Sequence, residues 1–218
     1  MTQVLQLPLQ AGQRAPDFAI PAVQDDRTVS LADYRNRSSL LLGLFPGLFC
    51  PFCRRALALM AASSETLKAM GIESLAVVGT ELENARLYCR YRPTRLALAA
   101  DPQLTTHRLF GVPRPEPTPE MMQAVSNIKI NPTGELTEPL PILEAAAVLE
   151  RLDGYPRTDT DNREAQWQFT QLKGQFLIGR DGVIRWANIE CGKEGLSGLG
   201  KFPSHDELID AARAAAGS

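Results

Sequence analysis

Residues 38–60, SSLLLGLFPGLFCPFCRRALALM, hold a strand and the start of a helix, with two cysteines where they join. Ser38 to Phe45 is an apolar run of strand length bounded by turn formers, which reads as a buried strand. A helix opens soon after it, because Pro51 suits the first helical position, where a missing N–H costs nothing. Leu57, Met60, Ala61 and Leu67 keep helical spacing, and Gly71 supplies a terminator. Cys50 and Cys53 thus form a Cys-x-x-Cys pair at a strand-to-helix junction.

Downstream the pattern repeats. Ile72 to Val78 reads as a second strand, Thr80 and Glu83 as the capping box of a helix through about Arg90, and Leu96 to Ala100 as a third strand. Asp101-Pro102 then caps a short helix. Upstream, Gly12 to Leu31 is turn-rich, with extended stretches near Asp17–Ile20 and Thr28–Ser30. Pro113, Pro115, Pro117 and Pro119 break the pattern as a stiff connector. From there to Lys173 one helix is expected, about Pro141 to Leu152, closed by Asp153-Gly154, with surface loop elsewhere. Gln175–Ile178 and Val183–Ile189 flank Arg180-Asp181-Gly182, a hairpin signal, and a last helix opens at Ser204 with Glu207 completing its box. Strands joined by helices must pair in parallel, whereas the hairpin strands run antiparallel, so a mixed sheet flanked by helices is expected.

At 218 residues, the length suits one domain spanning 1–218, with 113–172 as an insertion. Lys and Arg number 23 against 25 Asp and Glu, which leaves no basic footprint for nucleic acid or an anionic membrane. The longest apolar stretch, Leu40 to Phe45, is far short of the ~20 residues of a membrane span. Met1 to Gln10 has neither a basic start nor a sustained apolar core, so no signal peptide and a cytoplasmic location are expected. Four unevenly spaced cysteines are too few for a secreted disulfide framework.

The cysteine pair is where chemistry enters. A helix N-terminus carries about half a positive charge, which favours a thiolate there. Arg54 and Arg55 follow at once; cations are disfavoured at a helix N-terminus, so their presence suggests a use, such as steadying an anion. Zinc needs four ligands, yet there is no second pair, and His107 and His205 sit far off in sequence. Redox chemistry without metal or cofactor is therefore the expectation, ahead of zinc or inert thiols.

Here the sequence resembles the peroxiredoxin-like proteins of the alkyl hydroperoxide reductase and thiol-specific antioxidant family. Gly12-Gln13-Arg14-Ala15-Pro16-Asp17-Phe18, Val29 to Tyr34, Phe45-Pro46 through Cys53, and the hairpin Gln175–Ile178 with Asp181–Arg185 carry the likeness. It covers roughly 12–112 and 173–190. The resemblance implies a thioredoxin-like α/β fold with an N-terminal extension and a large insertion before the C-terminal hairpin. Pro46 and Cys53 stand at the family's proline and peroxidatic cysteine, but Cys50 replaces its hydroxyl residue and Lys173 its arginine. Lys keeps the charge without the two-pronged donor fork. Against thioredoxins proper, Phe49 replaces the usual Trp, Leu44 a buried acid, and Gly174 a cis-proline.

Two assignments of the same sulfurs follow. In a peroxidase, Cys53 attacks the peroxide and Cys50 resolves the sulfenic acid. In an exchanger, Cys50 attacks a disulfide and Cys53 resolves the mixed disulfide. Pro46 and the flanking motifs put peroxide reduction ahead; a sensor that oxidises without turnover is the rival from another class. Either enzyme needs a thiol reductant, such as a thioredoxin or glutathione system, and a small hydroperoxide or disulfide substrate; a homodimer is a candidate assembly. At least one thiol is expected to titrate below the ~8.5 of free cysteine. Strand direction also sends Cys191 to the catalytic edge as a candidate third thiol. Cys89 reads as a packing thiol, and the glycines after Cys191 as a loop.

Overall fold

In the computed structural model, residues 7–216 are described. Residues 1–6, part of the stretch read for a signal peptide, lie outside the described residues, as do 217 and 218. Two short strands, β1 (Ala19–Pro21) and β2 (Thr28–Ser30), pair antiparallel ahead of β3 (Ser39–Phe45) and α1 (Pro51–Ala69). Then come β4 (Ile72–Val78), α2 (Leu82–Tyr91), β5 (Ala97–Ala100) and α3 (Thr105–Leu109). The insertion contributes α4 (Pro119–Ser126), the strands β6 (Lys129–Ile130) and β7 (Leu140–Pro141), α5 (Ile142–Asp153) and α6 (Asp159–Gln168). The hairpin β8 (Gly174–Ile178) and β9 (Ile184–Ile189) precedes α7 (His205–Ala216).

Five strands form one mixed sheet in the order β5-β4-β3-β8-β9. Strand β3 runs parallel to β4 and antiparallel to β8, as the connections require. Its six residues from Leu40 are all buried, the mark of a central strand covered on both faces. Leu41 and Phe45 face one layer with Met60 and Leu67 of α1 and Leu208 of α7. Leu40, Leu42 and Leu44 face the other, with Phe18, Phe110 and Phe176. Gly43 lies on the α1 face, where a Cβ would meet the Phe45 ring and Met60 Sδ at 2.7–2.8 Å.

Three sequence expectations need correction. The insertion is not mostly surface loop: among its described residues are three helices and a hairpin, with a core of Ile130, Leu136, Ala145 and Leu149. Helix α4 is only eight residues long and α6 carries little apolar periodicity, and their starts were announced only by Thr118 before Pro119 and by the Thr158–Asp161 capping box. The Thr80–Glu83 box does not form either. The Thr80 hydroxyl donates to Glu164 Oε1 at 2.9 Å, and the Glu81 N–H donates to the same oxygen at 3.1 Å. A buried carboxylate from α6 thus serves the orphan donors that a local cap would otherwise take. Asp101 does accept from Thr106 N, but the helix opens only at Thr105.

That carboxylate makes the docking of α6 pH-dependent. Burial pushes the Glu164 carboxyl up to about 7 against the downward pull of its two hydrogen bonds. A raised acid contributes stability below its unfolded value of 4.5 that is lost as pH rises through about 7. Glu164→Gln, which keeps an acceptor, is expected to remove this component. Thermal melts at about pH 5 and pH 8 should show the variant gaining on the parent as pH rises; a constant difference would contradict the assignment.

Candidate active site

The strand register fixes where the chemistry sits. Gly174 pairs with Leu44 on one side and Ile189 on the other, and Glu190 N–H donates to the Lys173 carbonyl at 3.0 Å. The end of β3, Lys173 and the Glu190-Cys191 step therefore meet at one edge of the sheet. Val78 pairs with Phe45 at the same edge, and Gly79 follows. A Cβ on Gly79 would collide with the Pro46 carbonyl and Leu104, so this glycine lets the 46–49 loop lie close against the β4 end. Pro46 itself is buried.

Cys50 occupies the N-cap of α1 with extended backbone, and its carbonyl accepts from Cys53 N and Arg54 N at 3.0 and 3.1 Å. Cys53 falls at the third helical position, 1% exposed, while Cys50 keeps partial exposure. Both are free thiols. Phe52 between them points away into the insertion core, and Cys50 packs against that core as well as the central one. The insertion thus forms one wall of the thiol site.

The two sulfurs are driven apart electrostatically. The Cys53 thiol donates towards Cys50 and, with the Lys173 charge, lowers Cys50 to about 7 against its burial. Burial, that same hydrogen bond and the Cys50 charge push Cys53 well up. The lowered thiol lies on the more exposed of the two sulfurs.

Lys173 is 2% exposed, and its ammonium donates to Glu190 Oε1 at 2.6 Å. Burial opposes its charge, but Glu190 and the two cysteines more than offset that and raise its pKa. Glu190 Oε2 also accepts from Lys173 N at 2.9 Å and Oε1 from Gly200 N at 2.7 Å, so this carboxylate has a full set of donors. Sequence reading missed Glu190, because its pairing with Lys173 spans two strands and leaves no local pattern.

Arg54 and Arg55 were expected to steady the thiolate. Lys173 is the cation among the largest influences on both thiols, and the two arginines pair with the insertion. Arg54 Nε donates to Asp153 Oδ2 at 2.5 Å and Nη1 to the Leu48 carbonyl at 2.6 Å. Arg55 Nε donates to Glu135 Oε1 at 2.6 Å and Nη2 to the Leu149 carbonyl at 3.0 Å. Helical rotation carries these side chains off the Cys50–Cys53 face and onto the insertion. Asp153, read from sequence as a helix terminator, is their common anion.

Cys191 opens the loop after β9 in a left-handed conformation, φ 65°, at the same edge as the pair. Burial and Glu190 push its thiol up to about 11. Cys89 is half-buried against the central core, and burial raises its thiol too. His107 is fully buried, which lowers it to about 4, and His205 sits against Ser63 Oγ at 3.0 Å. Neither was expected to act in the site.

The family model of AhpC/TSA proteins matches residues 11–187. The chain belongs to the AhpC/TSA family. Membership makes it a thiol-dependent oxidoreductase, and the Cys50–Cys53 pair lies within the matched residues. No curated protein sequence matches the chain. Solved structures similar in fold include peroxidoxin BcpB from Mycobacterium tuberculosis, at 13% identity and TM-score 0.58 over 96% of this chain and 97% of that one. The reduced 2-Cys peroxiredoxin of Plasmodium vivax gives 14%, TM-score 0.58, and 94% and 81% coverage. A protein assigned as thiol:disulfide interchange protein DsbE from Chlorobium tepidum gives 20%, TM-score 0.55, and 95% and 98%. These likenesses establish the thioredoxin-like fold of the central sheet and its helices. No described helix is long and apolar enough to cross a membrane.

Proposed function

We propose that the chain is a dithiol oxidoreductase in which Cys50 attacks and Cys53 resolves, with disulfides as its substrates. The observation that carries this reading is the split between the sulfurs: Cys50 is partly exposed with its thiol at about 7, whereas Cys53 is buried with its thiol raised. The lowered Cys50 thiol favours the thiolate, the nucleophilic form. It attacks one sulfur of the substrate disulfide and expels the other as a thiolate, leaving a mixed disulfide. Cys53 then attacks the Cys50 sulfur, releases the second substrate sulfur, and its proton passes to that leaving group. The pair ends oxidised by two electrons, and a thiol reductant such as a thioredoxin or glutathione system restores it.

Hydroperoxide reduction is a second reading, supported by the family match and by Pro46 in the active-site loop. In the peroxidase assignment, Cys53 would attack. Its burial and raised thiol favour the reverse order, in which Cys50 takes the peroxide's terminal oxygen, releases an alcohol, and passes from sulfenic acid to disulfide with loss of water. A substrate comparison separates these. Reduced protein with a thiol reductant should turn over a mixed disulfide such as a glutathionylated peptide, and Cys50→Ser should stop it. Hydroperoxide consumption that survives Cys50→Ser and disappears in Cys53→Ser would overturn the proposed roles.

Cys191 stands outside the proposed cycle, because attack by Cys50 and resolution by Cys53 complete the exchange without a third sulfur. Cys191→Ser is expected to keep turnover within about twofold of the parent and to keep the Cys50–Cys53 disulfide on peptide mapping. A larger loss, or a changed disulfide map, would restore Cys191 as a third thiol.

A further inference from the structure

A groove of about 630 Å³ lies behind the first turns of α1, within the ~300–1,000 Å³ of small-molecule sites. It is bounded by α1, the end of α2 and the insertion, and its lining combines charged and aliphatic side chains. Among its lining residues the guanidiniums of Arg54, Arg55 and Arg92 outnumber the carboxylates of Asp153 and Glu135 by one charge, and the Arg54 guanidinium also lies 4.8 Å from the centre of the Tyr155 ring. The Arg54 side chain is 2% exposed, yet its Nη2 has no hydrogen-bond partner; Arg55 Nη1 also lacks one and stands 3.5 Å from Asp153 Oδ2. A buried donor left unpaired costs about 1–3 kcal/mol, so these atoms call for an acceptor. Its aliphatic lining includes the buried Leu57, Leu96 and Leu98, and Leu59 and Leu152, which stand 41% and 61% exposed.

We infer that this groove binds an amphipathic carboxylate, with its anionic head on the Arg54, Arg55 and Arg92 guanidiniums and its aliphatic tail along the leucines. A guanidinium fork matches a carboxylate in geometry as well as charge, and a single negative charge neutralises the site. The tail removes the exposed leucine surface from water. This site is separate from the sulfur chemistry, and its test reads binding rather than turnover.

Isothermal titration of the full chain with decanoate should show one saturable site whose affinity falls with added salt. Decanol, which has the tail without the charge, and inorganic phosphate, which has charge without the tail, should each bind at least tenfold more weakly. Leu152→Asp alters an exposed position and should weaken decanoate at least tenfold with the melting temperature unchanged; Arg55→Gln should also weaken decanoate by removing a guanidinium that the head contacts. Equal binding of decanol and decanoate, equal binding of phosphate, full affinity in Leu152→Asp, or no saturation by decanoate would overturn the inference.

Discussion

Replacing Cys50 by serine is expected to reduce turnover by at least about a thousandfold, because the attacking thiolate is removed and no other described cysteine has a lowered thiol. Cys53→Ser has a different signature. Cys50 still attacks, but the mixed disulfide has no internal resolving thiol, so the substrate remains attached and is visible as added mass. Steady-state turnover then falls to the rate at which external thiol cleaves the adduct. Under the opposite assignment the variants exchange phenotypes: Cys53→Ser is inert towards substrate and Cys50→Ser accumulates the adduct.

The second large effect concerns the ion pair beneath the sulfurs. Lys173 lowers the Cys50 thiol and Glu190 raises it, so their removal shifts the site in opposite directions. Lys173→Met is expected to move the Cys50 titration above 7 and to slow its alkylation near pH 6 by on the order of tenfold. Glu190→Gln is expected to move the titration below 7 and speed alkylation at the same pH. Each single variant also leaves a buried charge without its partner, a loss of about 3–5 kcal/mol. The double variant removes both charges and should recover much of that stability, without restoring the lost cationic support. Parallel pH profiles in the two single variants would contradict this account, whatever their melting temperatures.

Much of this arrangement could be read along the chain because it is local. Pro51 after the apolar run Leu40–Phe45 placed both the central strand and the start of the redox helix, and Ile72–Val78 was found at its observed bounds. The box at Ser204 and Glu207 forms as expected, with Ser204 N donating to Glu207 Oε2 at 2.7 Å and Glu207 N to Ser204 Oγ at 3.2 Å. The box at Thr80 fails because Thr80 Oγ1 accepts instead from Asn84 Nδ2 and the Thr80 N–H donates to the Val78 carbonyl, while its hydroxyl donates to Glu164, 84 residues away. Lys173 was legible from its place before the hairpin. Glu190 and Asp153 were not, since each acts through partners brought together only by sheet register or by docking of the insertion. The partners of Arg54 and Arg55 were not legible for the same reason: their sequence position adjoins the cysteines, but their ion pairs are with Asp153 and Glu135.

These placements give the insertion a defined share in the site. Phe52 is embedded among Ile130, Leu136, Ala145 and Leu149, and Asp153 ties α5 to the first turn of α1. The insertion therefore holds the segment that presents Cys50 while leaving that sulfur partly exposed and Cys53 covered.

The most direct measurement is alkylation of each cysteine by limiting iodoacetamide as a function of pH, read by mass spectrometry of peptides from the reduced native protein. Cys50 should be modified first, with a half-titration near 7, and Cys53 should stay unmodified across the same range. Modification of Cys53 ahead of Cys50 would contradict the assignment of Cys50 as the attacking thiol.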